Sequence, residues 1–86
     1  MRVDQIARIN QVADALWRSN GGETDGASSG ELAAAAMLCG RPDWSGYQLP
    51  DGRTAMPQLY RRLGDWWLPL LELADVWRPP EDRETS

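Results

Sequence analysis

The tryptophan content is the feature that most constrains how this chain can fold. Five Trp occur in 86 residues, and the sequence has no Phe. Each Trp side chain buries roughly 150–250 Å², whereas a chain this short buries only roughly 60% of its unfolded surface. Trp, Leu and Ala must therefore build a small core, and we expect at least one Trp to be exposed enough to contact a partner. The five are Trp17, Trp44, Trp66, Trp67 and Trp77.

The chain lacks most of the side chains that carry catalysis. It has no His, no Lys and a single Cys, Cys39. A Cys nucleophile needs an adjacent base and a disulfide needs a second Cys, so we interpret Cys39 as a small buried hydrophobe. The acidic residues do not have the spacing of a calcium-binding loop. The sequence thus predicts a protein that is not an enzyme and holds no metal or cofactor.

The net charge of −4 restricts the partners that the chain can bind. General binding of nucleic acid needs a basic face, so the charge argues against it and favours a basic or neutral protein partner. No apolar run approaches the length of a membrane span, and no secretory signal pattern opens the chain. We therefore expect a small acidic protein in the cytoplasm.

Apolar periodicity and helix-end signals predict four helical segments. The first covers 3–18, and the second covers about 29–39, opened by a capping-box spacing of Ser28 and Glu31. The third covers 57–63, and the fourth covers about 69–77 with Trp66-Trp67 as its hinge. The expected fold is a compact all-α domain of three or four helices.

The remaining segments are predicted to be a loop and a tail. Residues 41–56 form a long ordered loop, in which Pro50-Asp51-Gly52 supplies a turn between short strands that would make a small β-hairpin. Residues 79–86 begin with two prolines, and half of them are charged. They predict a disordered acidic tail, which leaves 1–78 as the single helical domain.

A basic and aromatic cluster is the candidate partner-binding surface. Arginine and aromatic residues together are typical of the centre of a protein interface. Adjacent Trp residues cannot share one helix face, so one of Trp66 and Trp67 is expected to contribute to binding. The predicted surface comprises Arg53, Tyr60, Arg61, Arg62 and one of Trp66 and Trp67, with Trp44 or Tyr47 nearby.

Two short motifs resemble small uncharacterised phage-encoded proteins. The stretch Gly30–Ala36 is similar to a GELAxAA-type helix that in those proteins precedes Trp-Trp and Trp-Lys/Arg-Pro motifs. The second part corresponds here to Trp66-Trp67 or to Val76–Pro79. The likeness covers about half of the chain, and this sequence departs from the pattern in two ways, because its acidic loop has no His and no further helix is expected after Pro80. The resemblance implies a phage-borne protein that binds and blocks a host protein, and it transfers no functional residue.

The favoured function is that of a small phage or prophage protein that inhibits or redirects a bacterial host protein, such as an anti-CRISPR-like inhibitor of a defence complex. The main alternative is a winged-helix or helix-turn-helix transcription regulator with 57–63 as its recognition helix. The acidic charge and the gap of about 17 residues before that helix weigh against it. Two further alternatives are a small enzyme with paired acids such as Asp65 and Glu72, and a homodimer joined through its Ala-rich helix.

Overall fold

The computed structural model describes residues 2–84, which form five α-helices. A short 3-10 turn at Pro42–Ser45 follows the second helix, and another at Gly64–Trp66 precedes the fourth. No strand occurs in this part of the chain, and the predicted hairpin is reduced to one antiparallel bridge between Gln48 and Thr54. The predicted all-α class is therefore confirmed. The helices are α1 (Val3–Arg18), α2 (Ser29–Leu38), α3 (Met56–Leu63), α4 (Trp67–Val76) and α5 (Pro80–Glu84).

The Ala-rich helix α2 is the centre of the fold. All four residues of Ala33–Ala36 are fully buried, and α2 packs against α1, α3 and α4. A helix that is apolar on every side is buried on every side, and short Ala side chains let neighbouring helices approach closely. The homodimer predicted through this helix is therefore wrong, because the Ala-rich face is occupied inside one chain.

The helices α1, α3 and α4 each direct buried apolar side chains toward α2. These side chains follow the three- and four-residue steps of an α-helix. The helices α2, α3 and α4 are short, and within residues 2–84 no helix has the length and apolar character needed to cross a membrane. The buried residues are Ile9, Val12, Ala13 and Leu16 of α1, Leu59 and Leu63 of α3, and Leu70 of α4.

The start of α2 has the predicted capping box. The backbone N–H of Glu31 donates to Ser28 Oγ at 3.2 Å, and the backbone N–H of Ser28 donates to Glu31 Oε1 at 3.0 Å. The hydrogen bond from the Ser28 N–H, together with the nearby Arg8 guanidinium, lowers the pKa of the Glu31 carboxyl. Two N–H groups that the helix itself leaves without acceptors are thereby satisfied.

The end of α1 and the loop that follows pack against Trp44. Asn20 and Gly21 adopt left-handed backbone conformations, as the predicted helix stop requires. A Cβ on Gly21 would lie 2.5 Å from Trp44 Nε1, so no side chain fits at this position. The Trp44 ring also meets the Trp17 ring edge-on, with centroids 6.4 Å apart. Gly21 therefore allows Trp44 to fasten the 3-10 turn to α1.

Helix α4 begins two residues earlier than predicted, at Trp67 instead of Pro69. Pro69 is the third residue of the helix, where a backbone N–H would have no acceptor within the helix. Proline is therefore tolerated there, and it does not set the boundary. Trp66 ends the preceding 3-10 turn.

Residues 79–84 are not the disordered tail that their composition predicted. Pro80 is buried and opens α5, because its fixed φ suits the first helical position and two acidic residues follow in the first turn. The Trp17 Nε1–H donates to Glu81 Oε1 at 2.8 Å, and Arg83 forms an ion pair with Asp14 of α1. These contacts dock α5 on α1. The rest of the predicted tail, residues 85–86, lies outside the described residues.

Candidate partner-binding surface

An aromatic contact joins α3 to α4, and both helices carry exposed apolar side chains. The rings of Tyr60 and Trp67 are in contact, with centroids 4.9 Å apart and planes at 60°. Met56 neighbours Tyr60 at the i, i+4 spacing on α3, while Leu71 stands at i+4 from Trp67 and i+3 from Leu68 on α4. We call these five residues the α3–α4 surface. Contiguous exposed apolar patches mark binding sites in soluble proteins, whereas scattered single residues do not.

The exposure of this surface follows from which face each helix buries. Leu59 and Leu63 face the core, and the 100° step per residue turns Tyr60 outward. On α4, Leu70 is buried, whereas Leu68 is 69% exposed and Leu71 is 45% exposed. Helix α4 therefore exposes two Leu side chains on the side that also carries Glu72, away from the buried Leu70. These exposed side chains are the feature that indicates a partner.

The charges around the α3–α4 surface are unpaired. Arg61 follows Tyr60, and Glu72 and Asp75 stand four residues after Leu68 and Leu71. Among the described residues, none of these three charged side chains takes part in an ion pair or a hydrogen bond. Most other arginines have a carboxylate partner. These pairs are Arg2–Asp4, Arg8–Asp25, Arg41–Asp43, Arg53–Asp51 and Arg83–Asp14.

The residues of the predicted basic and aromatic cluster lie in different parts of the structure. Tyr60, Arg61 and Trp67 belong to or border the α3–α4 surface, and both Arg61 and Arg62 are exposed, as predicted. The guanidinium of Arg62, however, turns toward α2, where its Nη2 donates to Ser29 Oγ at 3.2 Å. Trp66 lines the same cleft as Arg62.

Trp44, Tyr47 and Arg53 serve local packing in the loop. Arg41 places its guanidinium 4.5 Å from the centre of the Trp44 ring, and Tyr47 is half-buried against the core. Arg53 Nε donates to Asp51 Oδ2 at 2.7 Å. In the part of the chain that the structure describes, no ring contact or ion pair joins these three residues to Tyr60 or Trp67.

The expectation of an exposed Trp is not met. All five Trp are half-buried and pack against the core or its edge. Trp17 stands between Trp44 and Trp77, with its ring centroid 5.8 Å from that of Trp77. The exposed large apolar side chains are instead Val3, Leu68, Val76, Tyr60, Leu71 and Met56. Sequence reasoning missed Leu68 and Leu71 because they fall outside the stripe that faces the core.

A polar cleft of about 680 Å³ lies between the start of α1, the start of α2 and the end of α3. Four of the charges that line it form two ion pairs, since Arg8 lies 3.6 Å from Glu31 and Arg2 lies 3.6 Å from Asp4. Asp65 lines this cleft, but Glu72, its predicted acidic partner, is not among the lining residues. The two acids therefore do not share a cleft in which one could protonate and the other deprotonate a substrate.

Cys39 has the environment of a packing residue. Its thiol lies at the end of α2 and donates to the Ala13 carbonyl oxygen at 3.4 Å. Burial, with a smaller contribution from the Asp14 charge, raises the pKa of the Cys39 thiol to about 12. The thiol therefore stays protonated at neutral pH, and a thiol is a poor nucleophile. Within residues 2–84, no group of three or more Cys, Asp or Glu side chains is placed to hold a metal ion.

Similarity to known proteins does not identify the function of this chain. No family model, curated protein or solved structure matches the chain. The function must therefore be argued from the contacts, exposure and charges of the α3–α4 surface itself.

Proposed function

We propose that this protein is a non-enzymatic binding protein that holds a partner protein through the α3–α4 surface. The single observation that carries the proposal is the Tyr60–Trp67 contact with Leu68 and Leu71 exposed beside it. Aromatic residues at the centre and charged residues at the rim are the composition of protein interfaces. A few such residues usually supply most of the binding free energy.

The exposed side chains have enough apolar surface to contribute substantially to binding. Complete burial of an exposed Leu contributes roughly 1.5–3 kcal/mol, and this surface has two partly exposed Leu besides Tyr60 and Met56. Trp67 packs against the core from below, so the surface is held in place before the partner arrives. Such preorganisation lowers the entropy cost of association.

The proposed partner is a bacterial host protein, and the proposed outcome of binding is its inhibition or redirection. This part of the proposal rests on the resemblance of Gly30–Ala36 and the Trp-rich second half to phage-encoded proteins. Small acidic phage-borne proteins often act by binding and blocking a host protein, including host defence complexes, and the proposal gives this chain the same role in the host cytoplasm. The net charge of −4 supports a protein partner over a nucleic acid.

A comparative pull-down from bacterial lysate tests the proposal. The immobilised proteins are the wild type, a double variant with Leu68→Glu and Leu71→Glu, and Val3→Glu as the matched control. Val3 is 83% exposed at the start of α1 and is not one of the five residues of the α3–α4 surface. All three should have the same circular dichroism spectrum, because the substituted side chains are exposed.

We expect one or more host proteins to be retained by the wild type and by Val3→Glu, and lost from the double variant. Equal retention on all three proteins would overturn the proposal. Retention of duplex DNA that weakens steeply with salt would instead favour the transcription-regulator alternative, since counterion release is the signature of phosphate contacts.

A further inference from the structure

We infer that a groove at the end of α4 binds a small organic acid, in which one apolar group carries a carboxylate. None of the residues that line this groove belongs to the α3–α4 surface, so the inference is independent of the proposed host partner. The groove has a volume of about 250 Å³, which is below the roughly 300–1,000 Å³ of typical sites for drug-sized ligands. It therefore suits a ligand with a single ring or branched chain. The lining residues are Asn10 of α1, Leu73, Val76, Trp77 and Arg78 at the end of α4, and Arg83 of α5.

Half of the lining residues are apolar and form a preformed wall for the ligand. Leu73 and Trp77 are half-buried and pack against the core, whereas Val76 is 69% exposed. The Trp77 ring also meets the Trp17 ring edge-on, with centroids 5.8 Å apart, so it is held in place before a ligand arrives. An apolar group in the groove removes the exposed Val76 side chain from water, and this burial favours binding.

The charged residues that line the groove are both cations. The chain has 13 acidic residues against 9 basic ones, yet no acidic residue lines the groove. Arg83 is neutralised by its ion pair with Asp14. Arg78 is exposed and donates from Nη1 to the Trp77 carbonyl oxygen at 3.1 Å, and among the described residues it has no carboxylate partner. The Arg78 guanidinium therefore selects an anion, since it can bind a carboxylate through two parallel hydrogen bonds.

Two further hydrogen-bond donors of the lining residues have no partner. The indole Nε1–H of Trp77 is buried, and no acceptor for it exists in the described part of the chain. The carboxamide of Asn10 likewise makes no hydrogen bond there. A buried donor without an acceptor destabilises a protein, and a ligand oxygen that reaches the indole N–H after a small shift of the surrounding side chains removes this cost. A carboxylate has two acceptor oxygens, so it can pair with Arg78 and still accept from a second donor.

Titration with three small molecules tests the inference. Phenylacetate has both parts of the proposed ligand, phenylacetamide has the same apolar group without the charge, and acetate has the charge without the ring. Each is added up to about 20 mM, because ligands of this size bind in the millimolar range. The readout is the ¹⁵N–¹H spectrum of the full chain, in which the indole N–H of Trp77 has its own resonance.

The same titration is repeated on two variants with equal net charge. Arg78→Gln removes the guanidinium from the groove, whereas Arg18→Gln removes one from an exposed position that does not line it. Both side chains are exposed, so both variants should keep the wild-type fold.

We expect phenylacetate to shift the Trp77 indole resonance and the amides of Leu73–Arg78 saturably. Its dissociation constant should be at least about tenfold lower than those of phenylacetamide and acetate, because each of these lacks one part of the contact. Arg78→Gln should raise the dissociation constant of phenylacetate at least about tenfold, since a charge-assisted hydrogen bond is lost. Arg18→Gln should leave it nearly unchanged.

The inference is overturned if phenylacetate causes no saturable shift at the groove, if phenylacetamide binds equally well, or if Arg78→Gln binds as the wild type does. An equal loss of affinity in Arg18→Gln would also overturn it, because the attraction would then be to the overall charge. These results are distinguishable from a failure of the proposed function, since the pull-down variants change Leu68 and Leu71, which do not line the groove.

Discussion

The rings of Tyr60 and Trp67 meet with centroids 4.9 Å apart and join α3 to α4 at the protein surface. Tyr60 is 53% exposed, whereas Trp67 is half-buried and packs against the core. The Trp67 ring therefore holds the Tyr60 ring in place. This contact joins α3 to α4, and within residues 2–84 the side chains of Tyr60, Leu68 and Leu71 remain exposed.

Replacing Tyr60 with Ala should remove part of the α3–α4 surface and destabilise the fold. The aromatic pair contributes roughly 0.5–1.5 kcal/mol beyond the area it buries. We expect the free energy of unfolding to fall by at least about that amount, because the Ala variant also loses the buried part of the ring. Urea unfolding measures the change. Tyr60→Phe keeps the ring contact and serves as the control, so a Phe variant as unstable as the Ala variant would contradict the stacking argument.

Gly21→Ala should destabilise the protein more than Gly26→Ala. Both glycines have positive φ, at +87° and +69°. A Cβ at Gly21 meets the Trp44 ring at 2.5 Å, whereas a Cβ at Gly26 meets nothing within 4 Å. Overpacking adds roughly 1–3 kcal/mol to the backbone cost that both share. Equal losses of unfolding free energy in the two variants would show that Trp44 does not press on Gly21.

Removing residues 80–86 should lower the thermal midpoint and shift the Trp fluorescence to longer wavelength. The deletion takes away the acceptor for the Trp17 indole N–H, the Arg83–Asp14 ion pair and the buried Pro80. Trp17 then gains contact with water. A truncated protein with unchanged midpoint and emission would restore the view that this segment is dispensable.

Stability should fall as the pH drops below 4.5, the usual pKa of Glu31 and Glu81. A hydrogen bond from Trp17 lowers the pKa of Glu81, and the N–H of Ser28 lowers that of Glu31. A carboxyl whose pKa is lower in the folded state stabilises it fully above the unfolded value, and this contribution is lost as the pH falls through the folded value.

Urea unfolding at pH 7 and in mild acid checks this dependence. A double variant with Glu31→Gln and Glu81→Gln keeps the acceptor oxygens and loses the charge, so its stability should change less with pH than that of the wild type. An identical pH dependence in the two proteins would assign the acid sensitivity to other groups.

The local features of the fold could be predicted because they depend on neighbouring residues. The capping box of Ser28 and Glu31, the left-handed stop at Gly21 and the buried stripe of α1 are set within a few positions of the sequence. The start of α4 was misjudged by two residues, since Pro69 is compatible with either boundary. Local rules constrain the type of an element more tightly than its ends.

The docking of residues 79–84 on α1 and the exposure of the α3–α4 surface could not be predicted, because both depend on contacts between residues that are far apart in the sequence. The charged composition of 79–84 favours disorder until Asp14 and Trp17 of α1 supply partners. The exposure of Leu68 and Leu71 depends on which face of α4 meets α2. The residue types of Trp44 and Tyr47 predict that they lie near the α3–α4 surface, whereas both side chains pack elsewhere in the fold.

The central claim is that a partner docks on the α3–α4 surface, and amide chemical-shift mapping tests it most directly. The ¹⁵N-labelled protein is titrated with the host protein that the wild type retains from lysate. We predict that the shifted or broadened amides concentrate in Met56–Leu63 and Trp67–Val76, with Tyr60, Leu68 and Leu71 among them. Shifts concentrated around Trp44 and Tyr47, or in the polar cleft at Arg8 and Glu31, with α3 and α4 unchanged, would contradict the claim.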